Sequence, residues 1–385
     1  MTKTTVTNRG RIPGFDGLRG IACLAVFAVH FQQHVHLSAS FGPFEIPRLL
    51  ENGNTGVALF FALSGFLLGL PLWKCIHSHR DFPPLGAYWA KRLARIVPAY
   101  FICLTALIVL NRHWETPDAW RDIVLHYAFL FNFRQASIFS VNPPFWTLAV
   151  EMHFYLLLPL FFLLVRNLKP AAGGICLLVF AIASHLAYWL VMDSWPVAGV
   201  GGIERGNPVL HYSLLAHLPH FLLGTAAGLL YLSLEKRVHE PWLRPASELI
   251  FWICGGLVLM TLATPLDDVL KLPYGRYNWP FVPLMLTAMI VFAPFALLAR
   301  TILESLALRM LGMISYGVYI YHLPVQNATG RYMKVLALNP VEHWMLFGVA
   351  SLVVTTFVAA LSYSLVELPV QRLVKRAVGG DARDK

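Results

Sequence analysis

Phe15-Asp-Gly-Leu-Arg-Gly-Ile-Ala-Cys-Leu-Ala-Val-Phe-Ala-Val-His30 opens the first long uncharged run of the chain. No Asp, Glu, Lys or Arg occurs between Gly20 and Phe44. Arg19 stands at the entrance of the run and His30 lies well inside it. On a helix, positions eleven apart return to nearly the same face and are separated by about 16 Å along the axis. Arg19 and His30 therefore share one stripe. The expectation is Arg19 near a membrane surface and His30 near mid-membrane. A proton-exchanging side chain at that depth is costly in lipid, so it should face the protein interior.

Similar runs recur to the end of the chain. The protein is 57% apolar and only 13% charged, with a mean hydropathy of +0.60. Soluble domains carry about 25% charged residues. The composition excludes a set of soluble domains and predicts an all-α, polytopic transmembrane bundle. About ten spans are expected, at 20–38, 54–73, 95–111, 146–166, 171–192, 209–232, 247–265, 280–299, 310–327 and 343–366. The third looks short.

The net charge of +10 does not indicate nucleic acid, because the basic residues lie between apolar runs. With the N-terminus inside, 21 of the 30 Lys and Arg fall on the inner side, so both termini are expected in the cytoplasm. Residues 1–14 read as a cytoplasmic arm, 15–370 as the membrane domain and 371–385 as a basic cytoplasmic tail. The segments 112–145 and 193–208 become outer loops. Trp114, Trp120, Tyr127, Phe129, Phe131 and Phe133 suit the lipid–water interface. The five cysteines form no CxxC pair and read as buried thiols without a redox or zinc role.

Three constellations carry chemistry. Arg19 with His30 is the first. His34 follows His30 at metal-ligand spacing but without an accompanying carboxylate, so no metal is expected. The second is Phe145-Trp-Thr-Leu-Ala-Val-Glu-Met-His-Phe-Tyr155, in which Glu151 is the only charged residue between Arg134 and Arg166. A buried carboxylate needs a partner or a proton, which makes Glu151 a functional candidate. His153 points away from it on a helix, and Tyr155 is the weaker candidate. The third is Lys91-Arg-Leu-Ala-Arg-Ile-Val-Pro98, with Arg92 and Arg95 on one face; guanidiniums suit phosphates through planar paired donors. Inside anchoring explains these basic residues equally well. Ser64 reads as a helix-packing residue.

Together with Leu59-Phe-Phe-Ala-Leu-Ser-Gly-Phe-Leu67 and Ser315-Tyr-Gly-Val-Tyr-Ile-Tyr-His-Leu-Pro324, these motifs stand in the order of a known family. Over about 15–370 the sequence resembles the integral-membrane acyltransferase-3 family, which O-acylates bacterial sugars, polysaccharides and some antibiotics. The resemblance implies an acyl-CoA donor, with acetyl-CoA favoured, entering from the cytoplasm. It also implies a sugar or glycoconjugate acceptor and a multi-pass protein of the bacterial inner membrane. Arg19 and His30 match the family's arginine, ten residues, histidine motif; Glu151 matches its glutamate; Arg92 and Arg95 match its basic motif, with Lys91 where Arg is usual. The usual acidic pair reads Glu151-Met152, leaving one carboxylate. The extra hydrolase-like domain of some members is not expected here.

These residues give His30 as base or acyl carrier, Glu151 and Arg19 as its catalytic companions, and Lys91, Arg92 and Arg95 as the donor cradle. A proton-coupled exporter using His30 and Glu151 is the rival from another class; no inverted repeat is found for it. The orientation is directly testable. A reporter fused after Lys385 is expected to read cytoplasmic and one inserted at Gly202 extracytoplasmic; the reverse at both sites overturns the assignment.

Overall fold

The computed structural model describes residues 11–194, 207–265 and 280–380. Most of the 193–208 loop, the first ten residues of the arm and the last five of the tail lie outside the described residues.

Gly14, at φ +86°, turns the chain into α1 (Phe15–Val35), and His36, at φ +49°, ends it by returning its N–H to the Gln32 carbonyl. A two-stranded hairpin, β1 (Ser40–Phe41) and β2 (Phe44–Glu45), pairs Phe41 with Phe44 antiparallel and leads into α2 (Ile46–Glu51) and α3 (Thr55–His77). Next come α4 (Leu85–Leu110), the short α5 (Ala119–Tyr127), α6 (Trp146–Val165) and α7 (Pro170–Ser194). The short α8 (Pro208–His211), α9 (Leu214–Glu235) and α10 (Leu243–Ala263) follow. Then α11 (Phe281–Phe292), α12 (Leu297–Leu303), α13 (Leu306–Met313), α14 (Ser315–Val335), α15 (Trp344–Ser362) and α16 (Leu368–Gly380) complete the described chain. A π-helical turn, Tyr363–Glu367, joins α15 to α16.

The chain is thus an all-helical membrane bundle. Among the described residues seven helices are long and apolar enough to cross a membrane, or eight counting α11 with α12. Each of the ten expected segments falls on helix, with three departures. The third span is a long helix from Leu85 to Leu110, so the basic run 91–95 lies on the helix itself. The eighth is broken: α11 and α12 meet at 94°. In the ninth, α13 and α14 are separate helices around Ile314. The most polar long helices, α1 and α14, are not among the seven. Their polar faces meet each other, so neighbours supply the apolar exterior.

Burial separates the layers. In its apolar stretch the span from Ile46 to His77 is 78% buried, against 22% for that of Pro170–Val191, whose Ile175, Val179 and Leu190 point outward as a lipid-facing surface does. The 112–145 segment splits too. Trp114, Trp120 and Phe133 are exposed, but Phe129 and Phe131 pack into the core, so they do not lie at the interface as expected. Asp122 holds this segment together, accepting from His113 Nε2 at 2.7 Å and from Ser140 Oγ at 2.6 Å. Burial alone would raise its pKa; hydrogen bonds from Ser137 and Ser140 and the charge of His126 nevertheless hold the carboxyl below its ordinary value.

At the centre α3 and α9 touch backbone to backbone. A Cβ on Gly65 would strike the Phe221 carbonyl, and one on Gly224 the Ala62 carbonyl. Such approach lets van der Waals contact and polar bonds hold helices together in lipid. Trp73 Nε1 donates to the Thr225 carbonyl at 2.7 Å and Thr225 Oγ1 to the Gly65 carbonyl at 3.1 Å. Gly65→Ala is expected to cost about 1–3 kcal/mol through overpacking, read as a lower melting temperature in detergent. Gly86→Ala, where nothing lies within 4 Å, should be neutral.

Candidate active site

Five helices converge on one cavity. Arg19 of α1, Ser64 of α3, Arg95 and Ile96 of α4, Thr147 and Glu151 of α6, and Tyr316 and Tyr319 of α14 line a space of about 530 Å³, its open mouth included. Arg19 reaches it because α1 starts inside the bundle: the Phe15 ring packs edge-on against Phe66, midway along α3, at 5.1 Å. Arg19 is therefore not at the rim, and its guanidinium lies 4.0 Å from Asp16. Arg11 fixes that start, donating to Asp16 at 2.7 Å and to both oxygens of Glu304 at 2.9 and 3.0 Å.

Glu151 is held by two hydroxyls on the same oxygen. Ser64 Oγ donates to Oε1 at 2.7 Å and Tyr155 OH donates to it at 2.6 Å. Charge-assisted bonds of this kind keep a buried carboxylate in place. Ser64 thus does more than pack helices. Tyr155 sits one helical turn from Glu151, a spacing that the sequence displays. His153 points elsewhere, to the Phe129 carbonyl at 2.9 Å.

The basic motif divides. Arg95 lines the cavity, Arg92 lies 5.9 Å over the Tyr88 ring, and Lys91 is exposed. Glu151 is the one carboxylate lining the cavity; Glu367, 2% exposed on the π-helical turn, feels the charge of Arg95 from outside it. It arrives from the far end of the chain, where local sequence gives no sign of it. π-Helical turns recur at functional sites.

His30 is not in this cavity and does not touch Glu151. It lies further along α1, with Nδ1 2.8 Å from Gln33 Oε1 and its ring 5.1 Å from that of His322. His34 Nδ1 lies 2.8 Å from the His30 carbonyl and its Nε2 3.1 Å from Asn327 Oδ1. Among the described residues no group of three or more His, Cys, Asp or Glu is placed to hold a metal. Tyr319 connects the two centres. It lines the cavity, receives a hydrogen bond from Thr147 at 2.8 Å, donates to the Pro144 carbonyl at 3.2 Å, and lies 5.9 Å from the His322 ring. Sequence reading passed over Tyr316, Tyr319 and His322, although their spacing of three along one motif marks a helix stripe.

A cavity with two arginines, a hydroxyl-bound carboxylate and a nearby histidine pair, inside a multi-pass bundle, is the layout of an integral-membrane enzyme. The acyltransferase domain profile matches residues 12–364, and the chain belongs to the acyltransferase-3 family. It is 23% identical to the peptidoglycan O-acetyltransferase OatA of Listeria monocytogenes over 97% of this chain and 58% of that protein. It is 25% identical to nodulation protein 10 of Rhizobium leguminosarum bv. viciae over 94% of each. Against the O-acetyltransferase OatA of Staphylococcus aureus strain NCTC 8325 the identity is 27%, over 94% of this chain and 57% of that protein. The chain thus spans somewhat more than half the length of the OatA proteins. No solved structure matches it.

The shared oxygen of Glu151 gives a stability test. Ser64→Ala and Tyr155→Phe are each expected to lower unfolding stability by about 1–3 kcal/mol. The double variant should depart from additivity, because both donors serve one atom. Additive losses would show that the two hydroxyls act independently.

Proposed function

We propose that the chain is a multi-pass membrane O-acetyltransferase, moving an acetyl group from acetyl-CoA to a hydroxyl of a sugar or glycoconjugate in the bacterial inner membrane. The observation that carries this reading is the cavity. Arg19 and Arg95 bring positive charge to a space walled by helices, and acyl-CoA is a polyanion with a small neutral reacting group. Arg92 and Lys91 extend the positive charge outward along α4. With both termini cytoplasmic, donor entry from the Arg92 side follows.

The transfer has simple requirements. The acceptor oxygen attacks the thioester carbonyl, a base takes its proton, the C–S bond breaks, and the proton ends on the CoA sulfur. His30 is the base, since imidazole exchanges protons near working pH. Alternatively, His30 carries the acetyl group transiently. Glu151, fixed by Ser64 and Tyr155, balances the arginines and orients polar groups of the reactants. Arg19 and Arg95 pair with the phosphates of CoA, and the acetyl end of the donor reaches towards His30. The relatives named O-acetyltransferases support acetyl transfer to an oxygen of a glycan.

Three experiments test the reading. Purified protein in detergent, with no membrane potential, should consume acetyl-CoA in the presence of acceptor; an exporter would not. Arg95→Ala and Arg92→Ala should raise the KM for acetyl-CoA more than they lower kcat, with the loss shrinking for a donor lacking the nucleotide. Equal losses with both donors remove these arginines from phosphate binding. His30→Gln should lower kcat by a factor of about 10²–10⁴ while donor binding survives. An active His30→Gln protein would shift the base to Glu151.

A further inference from the structure

Two buried acceptor atoms beside His30 have no hydrogen-bond partner among the described residues: His322 Nε2 and Gln326 Oε1. Their side chains are 1% and 0% exposed. The identity of each atom as an acceptor follows from what the other end of the side chain does. His322 Nδ1 faces the carbonyl oxygens of Tyr319 at 2.7 Å and Val318 at 3.2 Å. A carbonyl only accepts, so Nδ1 carries the hydrogen and Nε2 presents a lone pair. The Gln326 amide nitrogen donates to the Phe27 carbonyl at 3.2 Å, which leaves Oε1 bare.

The two residues are four apart on α14 and so share a face, with Cβ atoms about 5–6 Å apart. Both meet α1 beside His30: the His322 ring is 5.1 Å from the His30 ring, and Phe27 is one turn before His30. Burying an acceptor unpaired destabilises a fold, so each of these atoms calls for a donor that the described residues do not supply. Two unpaired lone pairs repel a carboxylate or phosphate. They fit a ligand that offers O–H groups.

We infer that His322 and Gln326 form a hydroxyl-binding subsite for the acceptor, each accepting from a sugar hydroxyl that flanks the one whose proton His30 takes. The inference rests on the acetyltransferase reading and deepens it: the acceptor is a polyol presenting at least two neighbouring hydroxyls near the reacting one, not an isolated alcohol. His322 and Gln326 are specificity residues, and His30 keeps the proton transfer.

The test uses the full-length protein in detergent, labelled acetyl-CoA, and graded amounts of envelope glycan from the bacterium that makes the chain. Gln326→Met and His322→Leu keep side-chain bulk and delete the acceptor atoms. Each should raise the KM for glycan by about tenfold, leave the KM for acetyl-CoA unchanged and hold kcat within about threefold. Melting temperature should stay level or rise, because an unpaired buried acceptor is gone. A purely structural role gives the opposite pair of results, lower stability with an unchanged glycan KM, and overturns the inference. A collapse of kcat at unchanged glycan KM also overturns it, moving His322 into the chemistry. Should His322→Leu fail to fold, Gln326→Met decides alone. If the unaltered protein transfers no acetyl to glycan, the acetyltransferase reading falls and the subsite with it. If that protein is active and both variants keep its glycan KM, only the subsite falls.

Discussion

A carboxylate between membrane helices is tolerable only when something donates to it or offsets its charge. Glu151 has both, with Ser64 and Tyr155 on one oxygen and Arg19 and Arg92 acting on it electrostatically. Satisfying that one group draws α1, α3, α4 and α6 to a common point. The early start of α1 serves the same need. Arg19 reaches Glu151's neighbourhood only because the chain enters the bundle at the level of Phe66, where the Arg11–Asp16–Glu304 cluster neutralises the entry.

The fold class was legible because lipid imposes long uncharged runs, and such runs appear in sequence directly. The partners of Arg19 and Glu151 were less so. Arg19, Arg95 and Glu151 were picked out individually, and the structure brings these three to one cavity. The same reading did not see that His30 stands apart, because it assigned depth by counting from the start of a run. It missed Glu367, which comes within the electrostatic reach of Arg95 only through the return of the chain more than 250 residues later. The break between α11 and α12 was hidden too: both halves are apolar, so hydropathy passes over the bend.

Family membership and geometry bear on different questions. The match over residues 12–364 says that the bundle from α1 to α15 is the acyltransferase domain. It says nothing of how two polar centres on one helix divide the work. The structure separates a positively charged chamber from a histidine pair and sets Tyr319 between them, tied by Thr147 and Pro144 to the start of α6. The two polar centres are thus distinct, with a single side chain between them.

The seating of α3 on α9 has a mechanical consequence. Two helices locked by carbonyls at Gly65 and Gly224 cannot slide without unseating both, so they form the stator of the assembly. The chain bends elsewhere, at residues 293–296 and at Ile314, which bracket α12 and α13. Those two short helices carry the glycine-tight contacts to Gly17 and Gly20, directly under Arg19. Arg19 is thus seated on the bent side of the bundle by the same close backbone contact that locks α3 to α9, so a displacement of either short helix would reach the arginine first.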